Sequence, residues 1–114
     1  MDTRLVRRQG SIVIAVSGRL DMISAGTLEE ELEAAIGGGD RRIALDLAGV
    51  EYLSSAGLRA ILVAAKRLGD AGGTLVVIGL AGPVKEVFEM SGLGGVLPIY
   101  AGDAALFAAH PDWR

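Results

Sequence analysis

The fold is decided by the stretch Ile43–Leu68, which reads IALDLAGVEYLSSAGLRAILVAAKRL. Ile43–Leu47 is apolar except for one aspartate, and this short run predicts a buried strand. A connection then leads to Ser54 and Ser55, and from Leu58 onward apolar residues recur at helical spacing. The order of strand, connection and helix indicates an α/β domain in which the two serines occupy the first turn of the helix.

A serine at the start of a helix can have either of two roles. Serine is a favoured N-cap, and the hydrogen bond that it accepts from a first-turn amide contributes about 1 kcal/mol to stability. The same turn has backbone N–H groups without helical partners and the positive end of the helix dipole, so it accommodates an anion on a side chain. The residues alone favour the capping role.

Four further short segments predict the remaining strands. The five predicted strands are Thr3–Arg8, Ser11–Ser17, Ile43–Leu47, Thr74–Leu80 and Leu97–Tyr100. Only Gln9 and Gly10 separate the first two strands, which favours a hairpin. The later strands alternate with helical patterns, as in sheets joined by helical crossovers. The sequence therefore predicts an α/β fold with a mixed sheet, an N-terminal hairpin and the element order β-β-α-β-α-β-α-β-α.

Four helices are predicted in this order. The first begins between Ser24 and Thr27, with Thr27 and Glu30 as a capping box, and ends at Gly37. Asp103 is predicted to cap the fourth helix. Helical spacing predicts core positions at Leu28, Leu32, Ala35, Ile36, Leu58, Ile61, Leu62, Ala65, Leu68, Val84, Val87 and Phe88. One face of each of the first three helices is thus expected to pack against the sheet.

Three segments resemble one known family. Residues 46–62, DLAGVEYLSSAGLRAIL, resemble the signature of the STAS domain, the fold of bacterial anti-sigma factor antagonists. Gly18–Asp21 is similar to the Gly-x-Leu-Asp loop of that family, and residues 72–77, GGTLVV, resemble its next passage from helix to strand. The resemblance covers essentially the full chain and implies a single STAS domain over residues 1–114.

The resemblance also implies a modification site. In the family's antagonists the phosphorylatable serine is often preceded by Asp and followed by Ser or Thr, and these positions fall on Ser54, Ser55 and Ala56. The phosphorylatable serine therefore maps to Ser55. Ser54 departs from the pattern and removes a carboxylate beside the phosphoacceptor, whereas Gly57 matches it. In these antagonists the loop that matches Asp21 lies close to the serine.

The function implied by the resemblance is that of an anti-sigma factor antagonist. Such a protein binds an anti-sigma factor in its unphosphorylated form and so frees a sigma factor for transcription. The partner is also the serine kinase and binds the ATP, and a serine phosphatase reverses the modification. The alternative is a constitutive STAS interaction module of a lipid-transport or signalling complex, in which Ser55 is only a cap. Neither interpretation requires a cofactor on this chain.

The partner surface is expected at the end of the sheet where the two serines lie. The residues expected to form it are Asp21, Met22, Leu53, Ser54, Ser55 and Gly57. Met90 is a further candidate contact, because it is an apolar residue near a predicted helix end. Apolar residues in such places are more often satellite core than interface, and methionine suits both roles.

The sequence does not favour an enzyme. Cysteine is absent, and the single histidine, His110, lies far along the chain from the serines, so no nucleophile and base pair is evident. Asp46 lies in a predicted buried strand, where a structural hydrogen bond is more plausible than a catalytic pair with Asp21. Gly37–Gly39 lacks the Gly-Lys-Ser/Thr ending of a phosphate loop. No cluster of histidine or cysteine indicates a metal site.

Composition limits the partners further. The net charge of −3 gives no general attraction to nucleic acid, and we interpret the basic residues Arg4, Arg7 and Arg8 as a solvated face. No apolar run approaches the roughly 18 residues of a membrane span, and the charged N-terminus is unlike a signal peptide. These features predict a cytoplasmic protein without membrane insertion. The abundance of Arg, Gly, Ala and Leu fits a bacterial genome rich in GC.

Overall fold

Five strands form one mixed sheet, and the computed structural model describes them together with all of residues 1–114. The strands are β1 (Asp2–Arg7), β2 (Ile12–Leu20), β3 (Arg42–Leu53), β4 (Thr74–Ile78) and β5 (Ile99–Tyr100). Their order in the sheet is the order in the chain. β1 and β2 pair antiparallel, as the predicted hairpin requires, and all other neighbours are parallel.

The four helices alternate with the strands as predicted. They are α1 (Met22–Gly37), α2 (Ser55–Asp70), α3 (Gly82–Met90) and α4 (Asp103–Ala109), with two short 3-10 turns at Leu93–Gly95 and Pro111–Trp113. α1, α2 and α3 each follow a parallel strand, so all three begin at the carboxyl edge of the sheet. None of the helices has both the length and the apolar character needed to cross a membrane.

Both faces of the sheet are buried, but unequally. The larger core holds 22 buried residues contributed by the sheet, α1, α2, α3 and the connection that follows, and the smaller holds 7 beside α4 and Trp113. Strand β2 serves both, since Ile12 and Ile14 lie in the larger core and Val13 in the smaller one. Alternate side chains of a strand point to opposite faces, which explains why β2 is apolar almost throughout.

Two strands are longer than the sequence predicts. β2 continues past Ser17 to Leu20, and β3 continues past Leu47 to Leu53. Glycine at position 49 permits this pairing, because a Cβ atom there would lie 2.9 Å from the Cβ atom of Ser17. The two strands therefore end side by side, and they deliver α1 and α2 to the same place.

Two helix starts also differ from prediction. The N-cap of α1 is Asp21, whose side chain and that of Ser24 form the capping box, so the predicted box at Thr27 is wrong. In α4 the N-cap is Gly102. Asp103 is the first residue of the helix, and its side chain makes no capping hydrogen bond. Both corrections have the same cause, since the sequence contains several residues that can cap a helix and backbone geometry selects among them.

The buried face of α2 is rotated from the one predicted, and one predicted core residue of α3 is exposed. Leu62 and Val87 are 39% and 38% exposed, whereas the prediction placed both in the core. The α2 face against the sheet is built from Gly57, Ala60, Ile61, Ala64 and Leu68. Small residues occupy this face because α2 lies close to the strands, and a prediction based on large apolar side chains misses them.

Candidate functional site

The carboxyl edge of the sheet brings two helix starts together. The parallel strands β2 and β3 end in paired residues, with Leu20 opposite Leu53. The residues that follow, Asp21 and Ser54, are the N-caps of α1 and α2. The amide of Ser54 donates to the carbonyl of Leu20 over 2.9 Å. This hydrogen bond ties the start of α2 to the strand that leads into α1.

Ser54 caps α2, and its hydroxyl is fully engaged. The hydroxyl donates to the carbonyl of Leu20 over 2.7 Å and accepts the amide of Gly57 over 3.1 Å. The alternative interpretation of the sequence gives the capping role to Ser55, and the structure contradicts it. The backbone of Ser54 is extended, as an N-cap requires, and Ser55 is already helical.

Ser55 is the first residue of α2, and it is exposed to solvent. Because Ser54 supplies the cap, the hydroxyl of Ser55 is not needed to hold the helix start. It lies in the turn that has unpaired backbone amides and the positive end of the helix dipole. An anionic group on this side chain would therefore displace no structural hydrogen bond.

Leu53 and Gly57 lie behind the two serines, inside the fold. Leu53 is only 4% exposed, which corrects the prediction that its side chain forms a surface contact. The reason is that β3 continues to Leu53 and directs this side chain into the core. A Cβ atom on Gly57 would lie 2.9 Å from Cδ1 of Leu53 and 3.2 Å from the carbonyl oxygen of Leu20. Gly57 thus sets how closely α2 approaches the sheet.

Asp21 is held in a closed capping box. Its carboxylate accepts the amide and the hydroxyl of Ser24, both over 2.9 Å, and the amide of Ile23 over 3.1 Å. In return, the amide of Asp21 donates to the Ser24 hydroxyl over 2.9 Å. The hydrogen bonds from Ser24 are the main reason that the pKa of Asp21 lies below its usual value, because they stabilise the charged form. Asp21 is an ionised cap.

Two apolar side chains project into solvent at the start of α1. Met22 is 80% exposed, and Ile23 beside it is 86% exposed. Met90 is 88% exposed but lies at the far end of α3, about 13 Å along the helix axis from the edge where that helix begins. The structure therefore separates Met90 from the predicted surface.

A stacked pair that sequence reasoning missed also lies at this edge. Arg19 and Tyr52 are opposite each other on β2 and β3, and the guanidinium carbon lies 4.3 Å from the centre of the tyrosine ring. Such stacking combines an electrostatic attraction with aromatic contact. The pair was missed because both residues fall in segments that the sequence predicts to be loops.

The chain has clear relatives among known proteins. A family model described as "Mlab, STAS domain" matches residues 3–98. This chain belongs to the STAS domain family. A curated relative named as an anti-sigma factor antagonist, BtrV of Bordetella bronchiseptica, is 40% identical over 100 residues, which are 88% of this chain and 86% of BtrV.

Solved structures show the same fold in other proteins. The crystal structure of an anti-sigma factor antagonist from Mycobacterium paratuberculosis is similar with a TM-score of 0.84 and 31% identity, covering 94% of this chain and 92% of that one. The unphosphorylated form of the antagonist SpoIIAA gives a TM-score of 0.80 at 20% identity, covering 96% and 97% of the two chains. At that identity, SpoIIAA supports the fold alone.

The other polar residues considered for catalysis in this STAS domain either lie away from the serines or have structural roles. The single histidine, His110, lies beyond α4, where its Nε2 atom is 2.9 Å from the hydroxyl of Tyr100. Asp46 is half-buried, and its Oδ1 atom accepts the amide of Ala48 over 3.0 Å, which confirms the structural role predicted for it. Ser55 itself is exposed, and its hydroxyl makes no hydrogen bond with a base that could activate it.

Proposed function

We propose that this STAS domain is an anti-sigma factor antagonist whose binding is switched by phosphorylation of Ser55. The unphosphorylated domain binds an anti-sigma factor, and the sigma factor is then free for transcription. The anti-sigma factor is also the serine kinase and binds the ATP. A phosphate on Ser55 ends the binding, and a serine phosphatase restores it.

The observation that supports the proposal most strongly is that one serine caps the helix while the other is exposed. Ser54 makes the capping hydrogen bonds, while Ser55 is exposed in the first turn of α2. A phosphate adds close to two negative charges, and in this turn it meets backbone amides and a favourable dipole. Modification of Ser55 is therefore compatible with an intact fold, so that its effect falls on binding.

The surface around Ser55 supports a binding role. Met22 and Ile23 are exposed at the neighbouring helix start, and exposed apolar residues of this kind are typical of contact surfaces. A partner packed against them would have to desolvate or repel the phosphate dianion. A cost of only about 1.4 kcal/mol weakens binding tenfold.

The relatives support the same proposal by what they are named. BtrV and the Mycobacterium paratuberculosis protein are both named as anti-sigma factor antagonists. SpoIIAA has been solved in a phosphorylated form, which is similar to this chain with a TM-score of 0.73. The STAS fold of that protein is thus known with and without phosphate.

The test is phosphorylation with ATP and the ATPase-type serine kinases encoded in the same genome. We expect one phosphate, placed on Ser55 by mass spectrometry. Ser55→Ala should take up none, and the matched control Ser54→Ala should still be modified. A phosphate on Ser54 would contradict the assignment, and the absence of modification by every such kinase would contradict the switch.

One feature favours a second candidate function. Ser54 stands where the family's antagonists often have an acidic residue, so a kinase would meet one carboxylate fewer beside Ser55. A constitutive STAS interaction module needs no such recognition. It would bind its partner equally well whether position 55 is serine, alanine or glutamate.

A further inference from the structure

Strand β1 lies at one edge of the sheet and pairs only with β2. Next to the hairpin turn, the amide of Arg8 donates to the carbonyl of Ser11 over 2.8 Å. Hydrogen-bonded residues alternate along an antiparallel ladder, so the backbone N–H and C=O groups of Thr3, Leu5 and Arg7 point away from β2. We call these three residues the β1 edge.

The β1 edge carries an apolar side chain that nothing covers fully. Leu5 is 51% exposed and borders a groove of about 290 Å³ between β1 and α1. Ala34 and Ala35 of α1 line the same groove. Unpaired edge strands invite pairing with another strand, and a half-exposed leucine at the centre of this one increases that tendency.

A carboxylate beside the β1 edge also lacks a partner. Glu31 of α1 lines the groove, and its Oε1 atom accepts the hydroxyl of Thr3 over 2.8 Å. Its Oε2 atom is buried and accepts no hydrogen bond. Leaving such an atom without a donor is costly, so a cation placed beside this carboxylate would be stabilising.

We propose that two copies of this chain pair through the β1 edge, antiparallel and around a twofold axis at Leu5. The two five-stranded sheets then continue as one. In this register Leu5 lies opposite the partner's Leu5, and Thr3 lies opposite the partner's Arg7. The three outward-facing residues of each strand are thereby hydrogen-bonded to one another.

Charge selects this register over its neighbours. With the axis at Leu5, Asp2 lies opposite the partner's Arg8, and Arg4 lies opposite the partner's Val6. An axis at Arg4 would set two copies of Arg4 against each other, and an axis at Val6 would set Arg4 against the partner's Arg8. Like charges directly opposite on paired strands are destabilising, whereas opposite charges are favourable.

The partner's Arg7 is also brought towards the carboxylate of Glu31. In the register centred on Leu5 it stands across from Thr3, whose hydroxyl already binds the carboxylate of Glu31. Within its own chain Arg7 pairs with Asp40 at 2.5 and 3.3 Å. A guanidinium has five N–H donors, so it can keep this pair and still donate to a second carboxylate.

The contact is small, which sets the strength of the dimer. It joins only two strands of 6 residues, whereas a standard stable interface takes roughly 20–30 residues from each side. We therefore expect a weak dimer whose population rises with protein concentration. The β1 edge lies on the opposite side of β2 from β3 and α2, so this inference is independent of the proposed function at Ser55.

Disulfide trapping tests both the pairing and its register, because the natural chain has no cysteine. In Leu5→Cys the two thiols would lie at the twofold axis, with Cα atoms about 5.5 Å apart, a separation that a disulfide spans. Val6→Cys is the matched control, since two Val6 residues are offset from each other in this register. With oxidised glutathione as the electron acceptor, we expect a predominantly cross-linked Leu5→Cys chain and at least about fivefold less cross-linking in Val6→Cys. Equal yields, or none in either variant, would overturn the proposal.

Sedimentation equilibrium gives a second readout without cysteine. The unmodified chain should shift from monomer towards dimer as its concentration rises. Leu5→Pro removes only an outward-facing N–H, and an edge strand tolerates proline at such a position. The variant should therefore keep the circular dichroism of the unmodified chain. It should also remain monomeric at a concentration tenfold higher than the one at which the unmodified chain dimerises. A chain that stays monomeric up to roughly 1 mM would overturn the proposal, as would a Leu5→Pro variant that dimerises equally.

Discussion

The starts of α1 and α2 lie side by side, yet they are built differently. At α1, Asp21 and Ser24 satisfy each other in a capping box, in which Oδ1 of the Asp21 carboxylate accepts all the capping hydrogen bonds. At α2, Ser54 alone makes the cap and leaves Ser55 free. A helix start can therefore be both stable and modifiable when capping and modification fall on different residues.

The largest effect on this arrangement is expected from Gly57→Ala. The new Cβ atom would crowd Leu53 and the carbonyl of Leu20, and overpacking of this kind typically costs about 1–3 kcal/mol. Gly69→Ala in the same helix is the matched control, because a Cβ atom there meets nothing within 4 Å and helix propensity favours alanine by up to about 1 kcal/mol. Urea unfolding should show the two variants shifting in opposite directions. A shift in the same direction would mean that α2 does not depend on this close approach.

Met22→Asp should weaken partner binding by about tenfold, or 1.4 kcal/mol, without loss of stability. The side chain is 80% exposed, and a carboxylate at the first helical position suits the helix dipole. Glu30→Lys on the exposed side of α1 is the control for a charge change, because Glu30 forms no ion pair, unlike Glu33, which pairs with Arg67 at 2.8 Å. Calorimetric titration of the anti-sigma factor should separate these variants. Equal affinities would remove Met22 from the surface.

The two serines should differ in what they contribute to stability. Ser54→Ala removes the cap and should cost about 1 kcal/mol, whereas Ser55→Ala should change stability by less than about 0.5 kcal/mol. Thermal melts of both variants measure the difference directly. If Ser55→Ala proved the more damaging of the two, the division between capping and modification would be wrong.

The smallest effect is expected from Asp21→Asn, because asparagine also caps helices well. The pKa of Asp21 is lowered in the folded state, so its charge stabilises the fold above the ordinary carboxyl pKa, and this is lost as pH falls through the lowered value. The melting temperatures of the two proteins should therefore converge at acid pH. We also expect slower phosphorylation of Ser55 in the variant. An unchanged rate would leave Asp21 with a purely structural role.

The sequence predicted what depends on local pattern and missed what depends on strand pairing. The element order, the core face of α1 and the position of the serines follow from residues that are neighbours in the chain. The segments around Arg19 and Tyr52 read as loops because glycines and charged residues interrupt them, and only their pairing across β2 and β3 makes them strands. For the same reason, the burial of Leu53 and the stacking of Arg19 on Tyr52 could not be predicted.

The phosphorylation switch is tested most directly by comparing folding and binding of the protein with and without phosphate on Ser55. Because the phosphate lies in the first turn of α2, where amides and the helix dipole favour it, circular dichroism should be unchanged and the melting temperature should stay within a few degrees. Affinity for the anti-sigma factor should fall at least about tenfold. Undiminished binding by the folded, phosphorylated protein would contradict the account, and so would a phosphate that unfolds the domain.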